Sequence, residues 1–264
     1  MPRFSANLSW LFDDVPFEER FARAATAGFD AVEYLFPYDH DPSDLRRLLD
    51  ENGLRQDLFN LPAGDWDRGE RGIAVDPARR DEFADGVERA IRYADALGCR
   101  KLNCLVGLRL EDMDEVDMHA SVVENLSAAA KRLGESGITL LTELLNPIET
   151  PGFFLDSMEV TRRVLDDVGP GLSFQCDVYH LQRTQGNLVP TIRSVADRIG
   201  HVQIADAPDR HEPGTGEIDY RFVLSELEAA GYDGCVGLEY RPLGRTEDGL
   251  GWIEQFGYRL PGRA

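Results

Sequence analysis

The sequence lacks several features that would place it in a special class of protein. No apolar run approaches the ~20 residues that a membrane-spanning helix needs. The opening MPRFSANLSW has no basic segment followed by an apolar core, so we expect no signal peptide. Low-complexity tracts and internal linkers are also missing. These absences favour one globular protein, which we expect in the cytoplasm and away from membranes.

Cysteine is scarce, and its spacing excludes the common cysteine sites. Cys99, Cys104, Cys176 and Cys235 form no C-x-x-C pair and fall in or beside strand-like runs. This spacing is typical of reduced core cysteines rather than of a disulfide framework or a zinc site. Reduced thiols agree with a cytoplasmic protein.

Positive charge is also in short supply. The chain has 48 acidic and 28 basic residues, for a formal net charge of −20. Such an acidic surface opposes broad contact with a polyanion, so we expect no nucleic-acid partner. A small anionic substrate is still compatible, because one or two local cations can hold it.

The sequence does contain a repeated alternation of helix-like and strand-like runs. A helix-like run ends near a glycine, and a strand-like run follows within one to three residues. The predicted strands begin near Phe4, Asp30, Leu54, Lys101, Ile138, Leu172, His201 and Gly234. Eight units of about 33 residues predict a single-domain α/β protein, a (β/α)8 TIM barrel over residues 1–264. A doubly wound sheet is the alternative, but no G-x-G-x-x-G follows the first strand.

Two predicted loops are longer than a short turn, at residues 61–76 and 205–219. Both follow the C-terminal ends of strands, which is the face where barrel enzymes place their sites. Trp66 in the first loop and Phe36 after the second strand are candidate pocket walls. The tail, about residues 246–264, is expected to be a last helix packed on the barrel or a contact in a homo-oligomer.

Four polar residues end four consecutive strands in the second half of the chain: Glu143, Asp177, Gln203 and Glu239. They are separated by 34, 26 and 36 residues, each close to one strand–helix unit. Strand side chains alternate between two faces, and the opposite parity in these strands is mostly apolar and should face the helices. We therefore predict that the four polar side chains converge inside the mouth of the barrel.

Such a set of side chains is suited to a metal ion. Three carboxylates in one place repel each other unless a cation or protons neutralise them. Carboxylate and amide oxygens suit Mg²⁺ or Mn²⁺ better than a structural zinc. We predict that these four side chains bind a divalent metal. The alternative is that each acid pairs with a nearby arginine or caps a helix.

Further polar residues near the strand ends are candidate substrate-binding residues. His180 lies three residues after Asp177, and Glu149 follows Glu143, where a capping or turn role is the alternative. Arg210 lies in the loop after the seventh strand. Arg241 could bind a substrate carboxylate, or it could form a salt bridge with a site acid.

Four runs of sequence resemble one known family: FNLPAGDWDRGERGIA, CDVYHLQRTQGNL, IGHVQIADAPDRHEPGTGEIDY and GYDGCVGLEYRP. They are similar to the hydroxypyruvate isomerases, a family of xylose-isomerase-like TIM barrels related to tagatose and psicose epimerases. The resemblance implies that Glu143 and Glu239 are the proton donor and acceptor and that all four strand-end residues bind the metal. The sugar epimerases have a histidine at the position of Gln203, and their substrate-binding His and Arg map onto His180 and Arg210. Many hydroxypyruvate isomerases have proline directly after the first catalytic glutamate, where this chain reads ELLNP.

The resemblance also implies a reaction. It is the aldose–ketose isomerisation of a small 2-oxo or 2-hydroxy acid, such as hydroxypyruvate to tartronate semialdehyde, through an enediolate. Isomerisation of a 2-oxo-tetronate and 3-epimerisation of a ketose are alternatives that use the same site. A DNA-repair endonuclease of this superfamily needs a histidine-rich cluster and a basic face, which five histidines and the net charge of −20 disfavour. A non-catalytic sugar-acid binding protein is the non-enzyme alternative.

Overall fold

A closed barrel of eight parallel strands forms the centre of the molecule. The computed structural model describes residues 3–262. The strands are β1 (Arg3–Asn7), β2 (Ala31–Glu33), β3 (Arg55–Asn60), β4 (Lys101–Cys104), β5 (Thr139–Thr142), β6 (Leu172–Asp177), β7 (Ile199–Ile204) and β8 (Cys235–Leu238). Each strand pairs with the next, and β8 pairs with β1. The predicted (β/α)8 barrel is confirmed, and every predicted strand start lies within two residues of the observed one.

Helices cover the outside of the barrel. They are α1 (Phe17–Ala27), α2 (Pro42–Glu51), α3 (Arg80–Leu97), α4 (Glu115–Glu135), α5 (Met158–Val168), α6 (Val178–Thr184), α7 (Leu188–Ser194), α8 (Tyr220–Ala229), α9 (Thr246–Gly249) and α10 (Gly251–Gln255). Short 3-10 turns occur at Trp66–Arg68, Pro77–Arg79 and Ala196–Arg198. The segment between α6 and β7 contains α7 and the 3-10 turn at Ala196–Arg198. Within residues 3–262, no helix has the length and hydrophobicity to cross a bilayer.

The helix boundaries follow from local side-chain chemistry. The Asp41 side chain accepts a hydrogen bond from the Ser43 backbone N–H, and a proline occupies the first turn of α2. The Asp114 side chain caps α4 in the same way, through the Asp117 backbone N–H. At the other end, α1 and α3 stop at Gly28 and Gly98, which adopt the left-handed conformation. These signals can be read from the sequence because each acts within one turn.

The main core lies between the barrel and its helices. Leu140, Phe174, Val202 and Val236 from the apolar parity of β5 to β8 are at most 1% exposed. Burying one such side chain contributes about 1.5–3 kcal/mol. All four cysteines are free and buried, as predicted.

The C-terminal segment packs against β1 of the barrel. The rings of Trp252 and Tyr258 pack edge-on against Phe4 of β1, with centroids 5.4 and 5.7 Å away. The tail therefore packs on the barrel as far as residue 262. The last two residues of the predicted tail lie outside the described residues.

Candidate active site at the mouth of the barrel

A cavity of about 470 Å³ opens where the strands end. Six of the predicted site residues line it: Glu143, Glu149, His180, Arg210, Glu239 and Arg241. Trp66 also lines it, whereas Phe36 lines a neighbouring cavity and packs against Trp66 at 5.0 Å between ring centroids. Of the four strand-end residues predicted to converge, Glu143 and Glu239 therefore line one cavity, and Asp177 lies beside Glu143.

Asp177 ends β6 and also caps α6. Its Oδ1 accepts hydrogen bonds from the backbone N–H groups of Tyr179 and His180, at 2.8 and 3.1 Å. Its Oδ2 lies 3.6 Å from both Arg210 Nη2 and His180 Nε2. The sequence left helix capping and a role in the site as alternatives for this residue. In the structure Oδ1 caps the helix and Oδ2 faces the site.

Glu143 is buried beside the amide groups of two neighbouring strands. Its Oε1 accepts a hydrogen bond from Asn103 Nδ2 at 2.8 Å. Burial and the charge of Asp177 raise the pKa of Glu143 to about 8, although hydrogen bonds from the Gln175 and Asn103 amides lower it in part. Burial, opposed by the positive charge of Arg210, raises the pKa of Asp177 to about 6. A bound cation or proton would therefore stabilise both buried acids.

Arg210 joins the acids of the mouth to one another. Its Nη2 lies 2.9 Å from Glu239 Oε1, and its Nη1 lies 3.0 Å from Glu149 Oε2. The residue adopts a φ of 62°, a region that a non-glycine residue enters at a cost of about 1–3 kcal/mol and mainly where function requires it. Despite Arg210, burial keeps the pKa of Glu239 well above its ordinary value. In this structure Arg210 is therefore bound to acids of the site.

His180 has a defined tautomer. Asn146 Oδ1 accepts a hydrogen bond from the Glu149 backbone N–H at 2.9 Å, so Asn146 Nδ2 is the atom that faces His180 Nδ1, at 2.7 Å. Nδ1 therefore accepts, and Nε2 carries the proton and faces Asp177. Burial and the nearby charge of Arg210 lower the pKa of His180 well below its usual value. His180 is thus a neutral hydrogen-bond donor.

Gln203 lies inside the barrel with both ends of its amide occupied. Its Nε2 donates to Glu33 Oε1 at 2.8 Å, and its Oε1 accepts from Gln175 Nε2 at 2.7 Å. Glu33 also accepts from Ser5 at 2.6 Å. The metal-ligand role of Gln203 stays a prediction, because it requires the amide oxygen to leave Gln175.

A second buried cluster lies deeper in the barrel. Glu33 and Asp57 lie 2.9 and 3.4 Å from the two ring nitrogens of His201. Lys101 Nζ and Arg55 Nη1 contact Asp57 at 2.9 and 2.8 Å. Although burial opposes it, His201, Lys101 and Arg55 lower the pKa of Asp57 to about 2. Because this cluster has its own cations, we interpret it as a structural network that orients Gln203.

Comparison with known proteins identifies the family. The sequence model of the family described as xylose isomerase-like TIM barrel matches residues 21–256. The chain belongs to the xylose isomerase-like TIM barrel family. It is 49% identical to the hydroxypyruvate isomerase of Escherichia coli (strain K12), over 97% of this chain and 100% of that protein. It is 42% identical to the 2-oxo-tetronate isomerase of Cupriavidus necator, over 97% and 99% of the two chains.

Solved structures agree on the fold. A Brucella melitensis structure described as an AP endonuclease, family 2, is 46% identical, with a TM-score of 0.91 over 97% of this chain and 99% of that one. The 3-keto-D-glucoside 4-epimerase of E. coli has a TM-score of 0.79 at 21% identity, over 97% and 99%. At that identity the likeness shows the fold alone. The curated relatives at 42–49% identity are named isomerases.

The ligand atoms at the mouth of this barrel fit a divalent cation. Glu143, Asp177 and His180 each offer one ligand atom, and these atoms lie within 4.8 Å of one another. Because the Nε2 of His180 carries its proton, the carboxylates are the available donors. Buried acids with raised pKa values are what a cation would neutralise.

Trp10 and Arg71 are among the cavity residues that were not singled out from the sequence. Trp10 follows β1, and the guanidinium carbons of Arg210 and Arg241 lie 4.7 and 5.1 Å from the centroid of its ring. Arg71 lies in the loop at residues 61–76 and lines the cavity. The length of that loop was the available signal, but it does not show which side chain points inward.

Proposed function

We propose that this protein is an aldose–ketose isomerase that converts hydroxypyruvate to tartronate semialdehyde. The observation that carries the proposal is a cavity lined by two buried acids, Glu143 and Glu239, whose pKa values are raised above their ordinary range. Such acids are suited to exchange protons near neutral pH. The likeness to the E. coli hydroxypyruvate isomerase over 97% of the chain supports this substrate.

The reaction moves one proton between neighbouring carbons. One glutamate removes a proton from C3 of hydroxypyruvate, which leaves an enediolate. The other glutamate delivers a proton to C2, while the C3 hydroxyl loses its proton as the C3 aldehyde forms and the C2 oxygen gains one. Each glutamate is the base in one direction and the acid in the other. Acid–base steps of this kind contribute about 10²–10⁴-fold each.

Neighbouring residues orient the substrate and the glutamates. The Nε2–H of His180 lines the cavity and can donate to a substrate oxygen, because Asn146 fixes the tautomer. Arg210 holds Glu239 at 2.9 Å and so fixes the direction of that carboxylate. We propose Glu143, Asp177, Gln203 and Glu239 as ligands of Mg²⁺ or Mn²⁺. Such an ion, when bound, supplies a Lewis acid that lowers the pKa of the carbon-bound proton.

A 2-oxo-tetronate isomerase is the second candidate. The relative with that name is 42% identical over nearly the whole chain, and a cavity of about 470 Å³ does not restrict the substrate to three carbons. Ketose 3-epimerisation is the third, because it uses the same two acids without moving the carbonyl. A sugar-acid binding protein is the non-enzyme alternative, which binds the ligand and leaves its carbon-bound protons in place.

We further propose a cytoplasmic enzyme with a small anionic substrate and no nucleic-acid partner. The net charge of −20 supports the last point. Assembly into a homo-oligomer stays a prediction.

A substrate panel tests the proposed activity. Hydroxypyruvate, a four-carbon 2-oxo acid and a neutral ketose should be incubated with the wild type and with Glu143→Gln and Glu239→Gln. We expect fastest conversion of hydroxypyruvate, and loss of at least about 10²-fold in each variant with the fold retained. Faster conversion of the four-carbon acid would assign the second candidate. Near-normal rates in both variants would refute the proton-transfer assignment.

A further inference from the structure

The charged side chains of the cavity differ in whether they form ion pairs. Three acids and three arginines line it: Glu143, Glu149, Glu239, Arg71, Arg210 and Arg241. Arg210 is held by two of these acids, at 2.9 and 3.0 Å. Within residues 3–262, neither Arg71 nor Arg241 forms an ion pair with an acidic side chain. Two cations of the cavity are therefore left for an anion from solution.

Arg71 is held in a fixed position. Its guanidinium carbon lies 3.7 Å from the centroid of the Trp66 ring, and its Nη1 donates to the backbone carbonyls of Trp66 and Glu70 at 3.2 and 2.7 Å. Only one of its three nitrogens is used by these bonds, so the remaining donors are free for a planar acceptor. A guanidinium that is stacked and tethered loses little freedom when it binds a carboxylate.

The backbone beside Arg71 is fixed by a close contact. Gly72 has a φ of 107°, and a Cβ at this position would lie 1.8 Å from the carbonyl oxygen of Leu105. The Gly72 N–H also donates to the Ala63 carbonyl at 2.9 Å. The loop is therefore locked against the segment that follows β4, with Arg71 facing the cavity.

Arg241 lies in the segment that follows β8, and its backbone is also fixed. Its backbone N–H donates to the Arg210 carbonyl at 2.8 Å, and its own carbonyl contacts His211 Nδ1 at 2.7 Å. Its guanidinium carbon lies 5.1 Å from the Trp10 ring centroid. Both Arg71 and Arg241 therefore place the guanidinium next to a tryptophan ring at the cavity wall.

We propose that Arg71 and Arg241 bind the carboxylate of the substrate and so restrict this site to sugar acids. The inference deepens the proposed function and depends on it for the location of the reacting carbons. An anionic substrate entering a cavity with three acids needs cations that those acids do not already hold, and these two meet that requirement. Arginine is suited to the task because its planar fork matches a carboxylate.

Binding of an unreactive substrate analogue tests this inference separately from turnover. D-Glycerate has the carboxylate and the two oxygens of the three-carbon substrate, and glycerol is its neutral counterpart. Calorimetric titration of both should be done with the wild type, Arg71→Gln and Arg241→Gln, in buffer containing Mg²⁺. We expect the wild type to bind D-glycerate more tightly than glycerol. Each variant should bind D-glycerate roughly 10- to 100-fold more weakly, as expected for the loss of a charged hydrogen bond.

Matched controls remove the same charge nearby. Arg68 lies in the same loop with a side chain that is 85% exposed, and Arg245 follows β8 with a side chain that is 64% exposed. Arg68→Gln and Arg245→Gln should bind D-glycerate like the wild type. The inference is overturned if Arg71→Gln or Arg241→Gln binds as tightly as its control, or if the wild type does not prefer D-glycerate. If D-glycerate binding depends on the two arginines but hydroxypyruvate is not converted, the proposed function is refuted and the anion-binding site is still supported.

Discussion

The raised pKa of Glu143 predicts that the metal-free protein loses stability as the pH rises. In the unfolded chain this carboxyl ionises near pH 4.5, whereas in the folded protein its pKa is about 8. Between these values the folded state binds the extra proton, so the free energy of unfolding falls with increasing pH. For one group the full effect is on the order of 5 kcal/mol. For a chain of this length it corresponds to roughly 10 °C in Tm.

Thermal unfolding followed by circular dichroism in EDTA, between about pH 5 and 8, measures this effect. Glu143→Gln is the control, because glutamine keeps an acceptor for Asn103 and has no titrating group. The Tm of the wild type should fall relative to that of the variant as the pH rises. Added Mg²⁺ or Mn²⁺ should reduce the difference, since a bound cation favours the ionised carboxylates. Parallel curves for the two proteins in EDTA would refute the account of Glu143.

Three further substitutions test individual contacts. Asn146→Asp replaces the donor that faces His180 Nδ1 with an acceptor, so kcat on hydroxypyruvate should fall at least about tenfold. An unchanged kcat would contradict the tautomer assignment. Glu33→Leu removes the acceptor that orients Gln203, so the Kd for Mn²⁺ from calorimetry should rise roughly 10–100-fold, whereas an unchanged Kd would remove Gln203 from the ligand set. Gly72→Ala should lower Tm well beyond Gly53→Ala, because a Cβ at Gly53 meets nothing within 4 Å; equal losses would contradict the close contact at Leu105.

The barrel could be predicted from the sequence because its signals are local. Glycines such as Gly28 and Gly98 mark the ends of helices, and the apolar parity of β5 to β8 is visible in four to six residues per strand. The convergence of the acids followed from closure of the barrel, which brings together residues that occupy the same place in successive units. Neither inference required a long-range contact to be known in advance.

The details of the site depend on contacts that the sequence does not display. The orientation of the Gln203 amide is set by Glu33, 170 residues earlier and across the barrel. The helix α6 begins directly after Asp177 because that acid caps it while also facing the site, a double role that a strand-end pattern does not indicate. Arg71 was missed because its loop carries two arginines, and only tertiary contacts such as the stacking on Trp66 separate it from Arg68.

Hydrogen exchange at carbon tests the central claim most directly, namely that Glu143 and Glu239 pass a proton between adjacent carbons at the mouth of the barrel. Hydroxypyruvate should be incubated with the enzyme in D₂O and followed by NMR, with and without EDTA. The account predicts deuterium at C3 of the remaining hydroxypyruvate and at C2 of the tartronate semialdehyde. It also predicts loss of both signals in Glu143→Gln and Glu239→Gln. Product that carries at C2 the protium transferred from C3 without exchange, or exchange that persists in both variants, would contradict it.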